Sequence, residues 1–149
     1  SVQVQFSLLS PNNAKQKYVK KICDQNKIDF LAYSPLAFGI LCRDPTNNDI
    51  GKRSLFRNFI FQIYDKPTLE LRIVMKEIAK ARSASLAQVA LNWCFYHGAI
   101  PIVGLRKKNQ VLDISKSLRW NLTNREFERL EKASQNCSKK IPDNPFSSL

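Results

Sequence analysis

The chain has 149 residues, of which 44% are hydrophobic and 24% charged, a length and balance that suit one globular domain with a packed core. Lys and Arg total 24 against 12 acidic residues, a formal charge of +12, which invites an anionic ligand but says nothing about fold. No stretch reaches the roughly 18 consecutive apolar residues of a membrane-spanning helix, and Ser1 to Ser7 lacks the basic and apolar regions of a signal peptide, so the expected location is the cytosol with no membrane partner.

Cys23, Cys42, Cys94 and Cys137 are irregularly spaced with no CxxC pair, and His97 is the one histidine. Neither a zinc site nor a small disulfide framework fits, and four reduced thiols are expected.

In chain order, Val2 to Phe6 alternates and is β-rich, and Pro11 to Asn26 carries a helical pattern that Asn12 or Asn13 can cap. Within it Lys15, Lys17, Lys20 and Lys21 interleave with Tyr18, Val19, Ile22 and Cys23. They read as the wet face of an amphipathic helix, not as a nucleic-acid surface. Ile28 to Tyr33 is nearly continuously apolar, as a parallel strand covered on both faces should be. Strand, helix and strand within about 30 residues have the length of a βαβ unit.

Residues 34–66 break the pattern with Pro35, Pro45, Asn47, Asn48, Asp49 and Gly51, followed by Lys52-Arg53 and the aromatic run Phe56 to Tyr64. A stretch this long without structure of its own is uncommon and suits a mobile binding loop. Pro67 suits a first helical turn, and Leu71, Val74 and Ile78 form an apolar stripe down to about Arg82. Ser85-Leu86-Ala87-Gln88 is a capping box that opens a second helix running to Gly98. His97 sits at that helix's end, where a cation complements the dipole, and is read as structural.

Ala99 to Val103 is a short buried strand, and Lys107 to Leu118 reads as the helix after it. Thr123-Asn124-Arg125-Glu126 is another capping box, starting a helix that ends near Cys137. Residues 138–149, with Pro142 and Pro145, should be irregular. Three strands, each followed by helical material, predict a parallel α/β architecture. Three strands cannot close a barrel, and both faces of their sheet would need covering, so the pattern predicts a piece of a larger fold.

Four segments identify that fold. Gln3-Val4-Gln5-Phe6-Ser7-Leu8-Leu9, Ala32-Tyr33-Ser34-Pro35-Leu36-Ala37-Phe38-Gly39, Ala87-Gln88-Val89-Ala90-Leu91-Asn92-Trp93 and Ile100-Pro101-Ile102-Val103-Gly104 resemble, in order, segments of the aldo-keto reductases. The likeness is to the branch with SPLA-x-G after the seventh strand, which includes plant and microbial reductases and potassium-channel β subunits. It implies that residues 1–149 are the carboxy-terminal half of one (β/α)8 TIM barrel domain, with strands six to eight, their helices and the final helix. The family's catalytic Asp, Tyr, Lys and His come from earlier strands, and no residue here matches them.

The resemblance also assigns a cofactor surface for NADP(H). Gln3 matches the glutamine that meets the nicotinamide carboxamide, and Tyr33 the aromatic that stacks on the nicotinamide ring. Ser34, Pro35, Leu36, Ala37, Gly39 and Leu41 match the loop that lines the pyrophosphate with free backbone N–H groups. Gly104, Arg106 and Gln110 face the adenosine ribose, where a 2′-phosphate would favour NADP. Asp113 matches the acid that accepts from the adenine amino group, and Ile114 stands where the family often has Asn. Arg53, with Arg43 and Lys52, lies in the loop that in the family can latch over the pyrophosphate. Phe56 and Trp120 read as packing.

The parent is thus expected to be an NADPH-dependent reductase of carbonyl compounds, with this chain inactive alone and prone to self-association. The alternative is a redox-sensing NADP-binding regulatory subunit of the potassium-channel β type. A third reading, an anion-binding protein exploiting +12, would show affinity that falls steeply with salt.

Overall fold

The structure is a computed structural model that describes residues 1–10, 14–46 and 55–142, without the side chains at 14, 15, 17 and 55–57. Three parallel strands, β1 (Val2–Gln5), β2 (Phe30–Tyr33) and β3 (Ile100–Ile102), lie side by side in sequence order. Between them run α1 (Ala14–Gln25), a kinked 3-10 segment (Ala37–Cys42), α2 (Leu55–Asp65), α3 (Leu69–Ala81) and α4 (Leu86–Tyr96). After β3 come α5 (Lys108–Ser115), a 3-10 turn (Lys116–Arg119) and α6 (Asn124–Asn136).

One face of the sheet carries the core. Phe30 and Ala32 are buried there, and Phe6 crosses edge-on to Phe30 at 5.4 Å and stacks on Trp93 at 4.8 Å. On α3 the stripe Leu71, Met75 and Ile78 is buried, facing Val89 to Cys94 of α4 and Leu130 and Ala133 of α6. This spacing is that of one helical face. Both capping boxes mark their helix starts. Thr123 and Glu126 bond reciprocally, whereas at Ser85 the hydroxyl caps Gln88 N but the Gln88 side chain turns to Asp113 and Trp120.

Several expectations need correcting. Residues 34–66 are not one irregular loop, because they hold the 3-10 segment and α2, whose Phe61 is buried and whose Ile60 and Tyr64 pack against the core. The helix expected over 107–118 stops at Ser115 and tightens into a 3-10 turn. There Ser117 Oγ donates to Ile114 O at 2.6 Å, and Ser117 O accepts from Asn92 Nδ2 at 3.0 Å. On α1 Cys23 is buried, but Tyr18 and Ile22 are exposed instead of facing inward. The tail lacks regular structure through Pro142, yet Ile141 is buried and its N–H donates to Leu9 O at 2.8 Å. The caps expected from Asn12 or Asn13 lie outside the described residues.

Candidate functional site

In-register neighbours of a parallel sheet point to the same face. The pairing therefore aligns Gln3 with Leu31 and Ile100, and Gln5 with Tyr33 and Ile102, on the face away from the helices. That face is open, as a piece of a larger fold implies: Gln3 and Tyr33 are exposed, and Ile100 and Ile102 remain 48% and 43% accessible. Gln5, Tyr33 and Ile102 mark the common carboxy-terminal end of the strands. Gln5 is buried there with its Oε1 unbonded among the described residues, while its carbonyl accepts from Gln16 Nε2 at 2.9 Å. Sequence reasoning gave Gln5 no role, although its position two residues beyond Gln3 places both on one face.

The chain leaves β2 through a tight left-handed turn. Ser34, Ala37 and Phe38 have φ of 54°, 50° and 57°, and Gly39 has φ of 89°. The three non-glycine residues cost about 1–3 kcal/mol each in such a conformation. Ala37 N donates to Ser34 O, and Gly39 N to Leu36 O, both at 2.9 Å. These two amides are thus spent within the turn instead of being free for an anion. Pro35, Ala37 and Leu41 are buried, so Ser34, Leu36 and Gly39 are the members of the expected set that reach the surface.

Beyond β3, Gly104, Leu105 and Arg106 are exposed, and a Cβ on Gly104 would meet nothing within 4 Å. The Arg106 guanidinium makes no ion pair among the described residues. Gln110 faces inward to its own helix start, its Oε1 accepting from Arg106 N at 2.9 Å and Lys107 N at 3.0 Å. Asp113 is held by α4: its two carboxylate oxygens accept from Ser85 Oγ and Gln88 Nε2, each at 2.7 Å. That carboxylate is committed to packing α5 on α4 before any ligand arrives. Arg53 and Lys52 lie outside the described residues. Arg43 pairs with Asp65 Oδ1 at 3.0 Å and lies 5.5 Å from the Phe61 ring, so its charge is neutralised within the protein and not offered as a latch.

His97 stands apart from this surface, among Phe6, Trp93 and Phe127. Its Nε2 is buried 3.5 Å from Glu131 Oε1 without forming a hydrogen bond. A hollow of about 450 Å³ beside it is lined by Phe6, Lys21, Trp93 and Glu131 among others, on the helix side of the sheet. Complete burial pushes the Cys94 thiol far above its ordinary value, and burial raises Cys137 as well. Such thiols are unreactive. Among the described residues no cluster of His, Cys, Asp or Glu could hold a metal ion, and no helix is long and apolar enough to cross a membrane.

A parallel sheet with consecutive strand order, helices on one face and an open inner face is an arc of a (β/α)8 barrel, and the chain belongs to the aldo/keto reductase family, whose model matches residues 1–135. It is similar to the chloroplastic pyridoxal reductase of Arabidopsis thaliana, 40% identical over 98% of this chain and 39% of that protein. Among solved structures, glycerol dehydrogenase from Gluconobacter oxydans superposes with a TM-score of 0.73 at 23% identity, covering 91% of this chain and 42% of that one. An aldo-keto reductase complexed with NADPH superposes with a TM-score of 0.58 at 19% identity, over 88% of this chain and 34% of that one. The chain thus spans between about a third and two fifths of the length of these relatives.

Proposed function

We propose that the complete protein is an NADPH-dependent reductase of aldehydes or ketones, with this chain supplying much of the cofactor-binding surface and none of the proton-donating machinery. The observation that carries this reading is the placement of Gln3, Tyr33, the Ser34–Gly39 turn and Arg106 along the open face and the ends of three parallel strands, where ligands of such barrels lie. When bound, the nicotinamide would supply a hydride to the carbonyl carbon. Gln3 offers an amide with donors and an acceptor for a carboxamide, Tyr33 a ring for stacking, and Arg106 a fork for the 2′-phosphate.

The surface fits such a group only in part. Two turn amides and Gln110 are satisfied internally, and Asp113 is tied to α4, so the assignment leans on Gln3, Tyr33, Ser34 and Arg106. The relatives named above are a reductase and a dehydrogenase, so a channel-subunit reading gains no support from them. We place the parent in a compartment that keeps thiols reduced. The cytosol is the expected one, while the Arabidopsis relative is chloroplastic by its name.

Arg106 provides the test. In the complete protein Arg106→Ala weakens NADPH more than NADH, by about 1.5–3 kcal/mol for a lost charge-assisted contact. Titration of both cofactors at fixed salt gives the comparison, and equal weakening would remove Arg106 as the phosphate reader. With no acid to protonate the alkoxide, the isolated chain turns over no carbonyl substrate in an NADPH-consumption assay.

A further inference from the structure

We propose that Arg72 is a positioning residue for the cofactor-side turn, acting through Arg43 and Asp65; this rests on the cofactor reading above. Arg72 lies on α3, 1% exposed, which is an expensive place for a guanidinium unless its donors are used. They are used on the base of the excursion that leaves β2. Nη2 donates to both the carbonyl and Oδ1 of Asp65, each at 2.7 Å, Nη1 to Arg43 O at 3.4 Å, and Nε to Thr68 Oγ1 at 3.2 Å.

Arg43 is the residue at which the 3-10 segment ends, and Asp65 is the last residue of α2. One buried cation therefore grips both ends of the stretch between them. Arg43 closes the figure through its own pair to Asp65. Beside it, Lys76 holds Asp44 Oδ1 at 2.7 Å and Thr46 Oγ1 at 2.6 Å, tying the next residues to the same helix.

The clamp has a target. Ser34, Ala37 and Phe38 are held in left-handed conformations, and such residues persist only where their surroundings over-determine them. Upstream the turn is fixed by β2, through Tyr33. Downstream the anchors are the buried Ile40 and Leu41 and then Arg43, whose carbonyl Arg72 holds. Without Arg72, residues 37–42 lose their exit anchor and the turn relaxes, shifting the Ser34 hydroxyl that would meet the cofactor.

A role in stability alone makes a different forecast. Removing one partner of a buried ion network destabilises the fold, so a purely structural Arg72 predicts a lower Tm for Arg72→Met with NADPH Kd and turn exchange unchanged in the protein that remains folded. The experiment compares Arg72→Met, Arg72→Lys and Asp65→Asn in the complete protein by NADPH titration, steady-state kinetics, thermal melting and amide exchange. The expected result is a rise of about tenfold in NADPH Kd for Arg72→Met and a smaller one for the other two. At saturating cofactor kcat stays within about twofold, as for a group that positions without reacting. Ala37 and Gly39 amides exchange faster while those of α4 and α6 do not.

Unchanged Kd and unchanged turn exchange in folded Arg72→Met overturn the proposal. Should that variant fail to fold, the half-exposed Asp65→Asn decides by the same readouts. Wild-type protein that binds neither NADPH nor NADH overturns the cofactor reading and this inference with it.

Discussion

Glu126 anchors a charged network at the start of α6. Its Oε2 accepts from Thr123 N and Arg82 Nη2, each at 2.7 Å, and its Oε1 from Arg82 Nε at 2.9 Å. The Arg82 guanidinium, helped by Thr123, holds the carboxyl down from its usual 4.5 to about 2. A folded-state value below the unfolded one means that this group's stabilisation is fully present above about pH 4.5 and is lost as pH falls through about 2. Glu126→Gln is therefore expected to lower stability at pH 7 by about 1.5–3 kcal/mol, with a gap to wild type that narrows toward pH 2.5. Denaturant melts at both pH values check this. Thr123→Ala removes the cap hydroxyl and costs about 1 kcal/mol at pH 7. Asp44 shifts the same way, to about 2, because Lys76 donates to it, but it is exposed and salt should erase most of its share.

At the scale of elements, what was legible in the sequence had a local cause. Thr123 and Glu126 are three residues apart and cap each other, so the start of α6 was written in a tetrapeptide, as were the apolar stripe of α3 and the βαβ spacing. Where a side chain's partner lies far along the chain, local pattern was silent. α2 was hidden because Pro45, Asn47 to Asp49 and Gly51 announce a loop, and the stripe of Ile60, Phe61 and Tyr64 that buries it shows only once there is a core to face. Gln88 looked like the closing half of a capping box until Asp113, 25 positions away, took its amide. Asp113 in turn was assigned by likeness to a ligand role that geometry alone could not weigh against its bonds to α4. The two roles separate by experiment. Asp113→Ala strands the Ser85 and Gln88 donors and is expected to cost about 1–3 kcal/mol in protein free of nucleotide, seen as a lower Tm and faster exchange in α5. A residue that served the adenine alone would leave the unliganded melt unchanged.

For the whole molecule, the open inner face decides behaviour. β1 and β3 each keep an outer edge unpaired among the described residues, and Ile100, Ile102 and Tyr33 present apolar surface between them. Unpaired edges beside an apolar face seek partners. The isolated chain is expected to self-associate at micromolar concentration, which light scattering reads directly. A monodisperse monomer that binds no hydrophobic dye would count against it. The free ends of the described chain behave differently, because they are stitched to one another. Lys140 Nζ reaches Leu8 O at 3.3 Å, Ser134 Oγ donates to the same carbonyl at 2.6 Å, and Ile141 N closes on Leu9 O. During synthesis, then, the carbonyl of Leu8 is left to solvent until its partner at Ser134, 126 residues later, has been made, and its bonding is completed only by Lys140, 132 residues later. Strand-by-strand packing therefore leaves the turn after β1 incomplete until the segment from Ser134 to Ile141 docks on it, a contact of high sequence separation and slow to form.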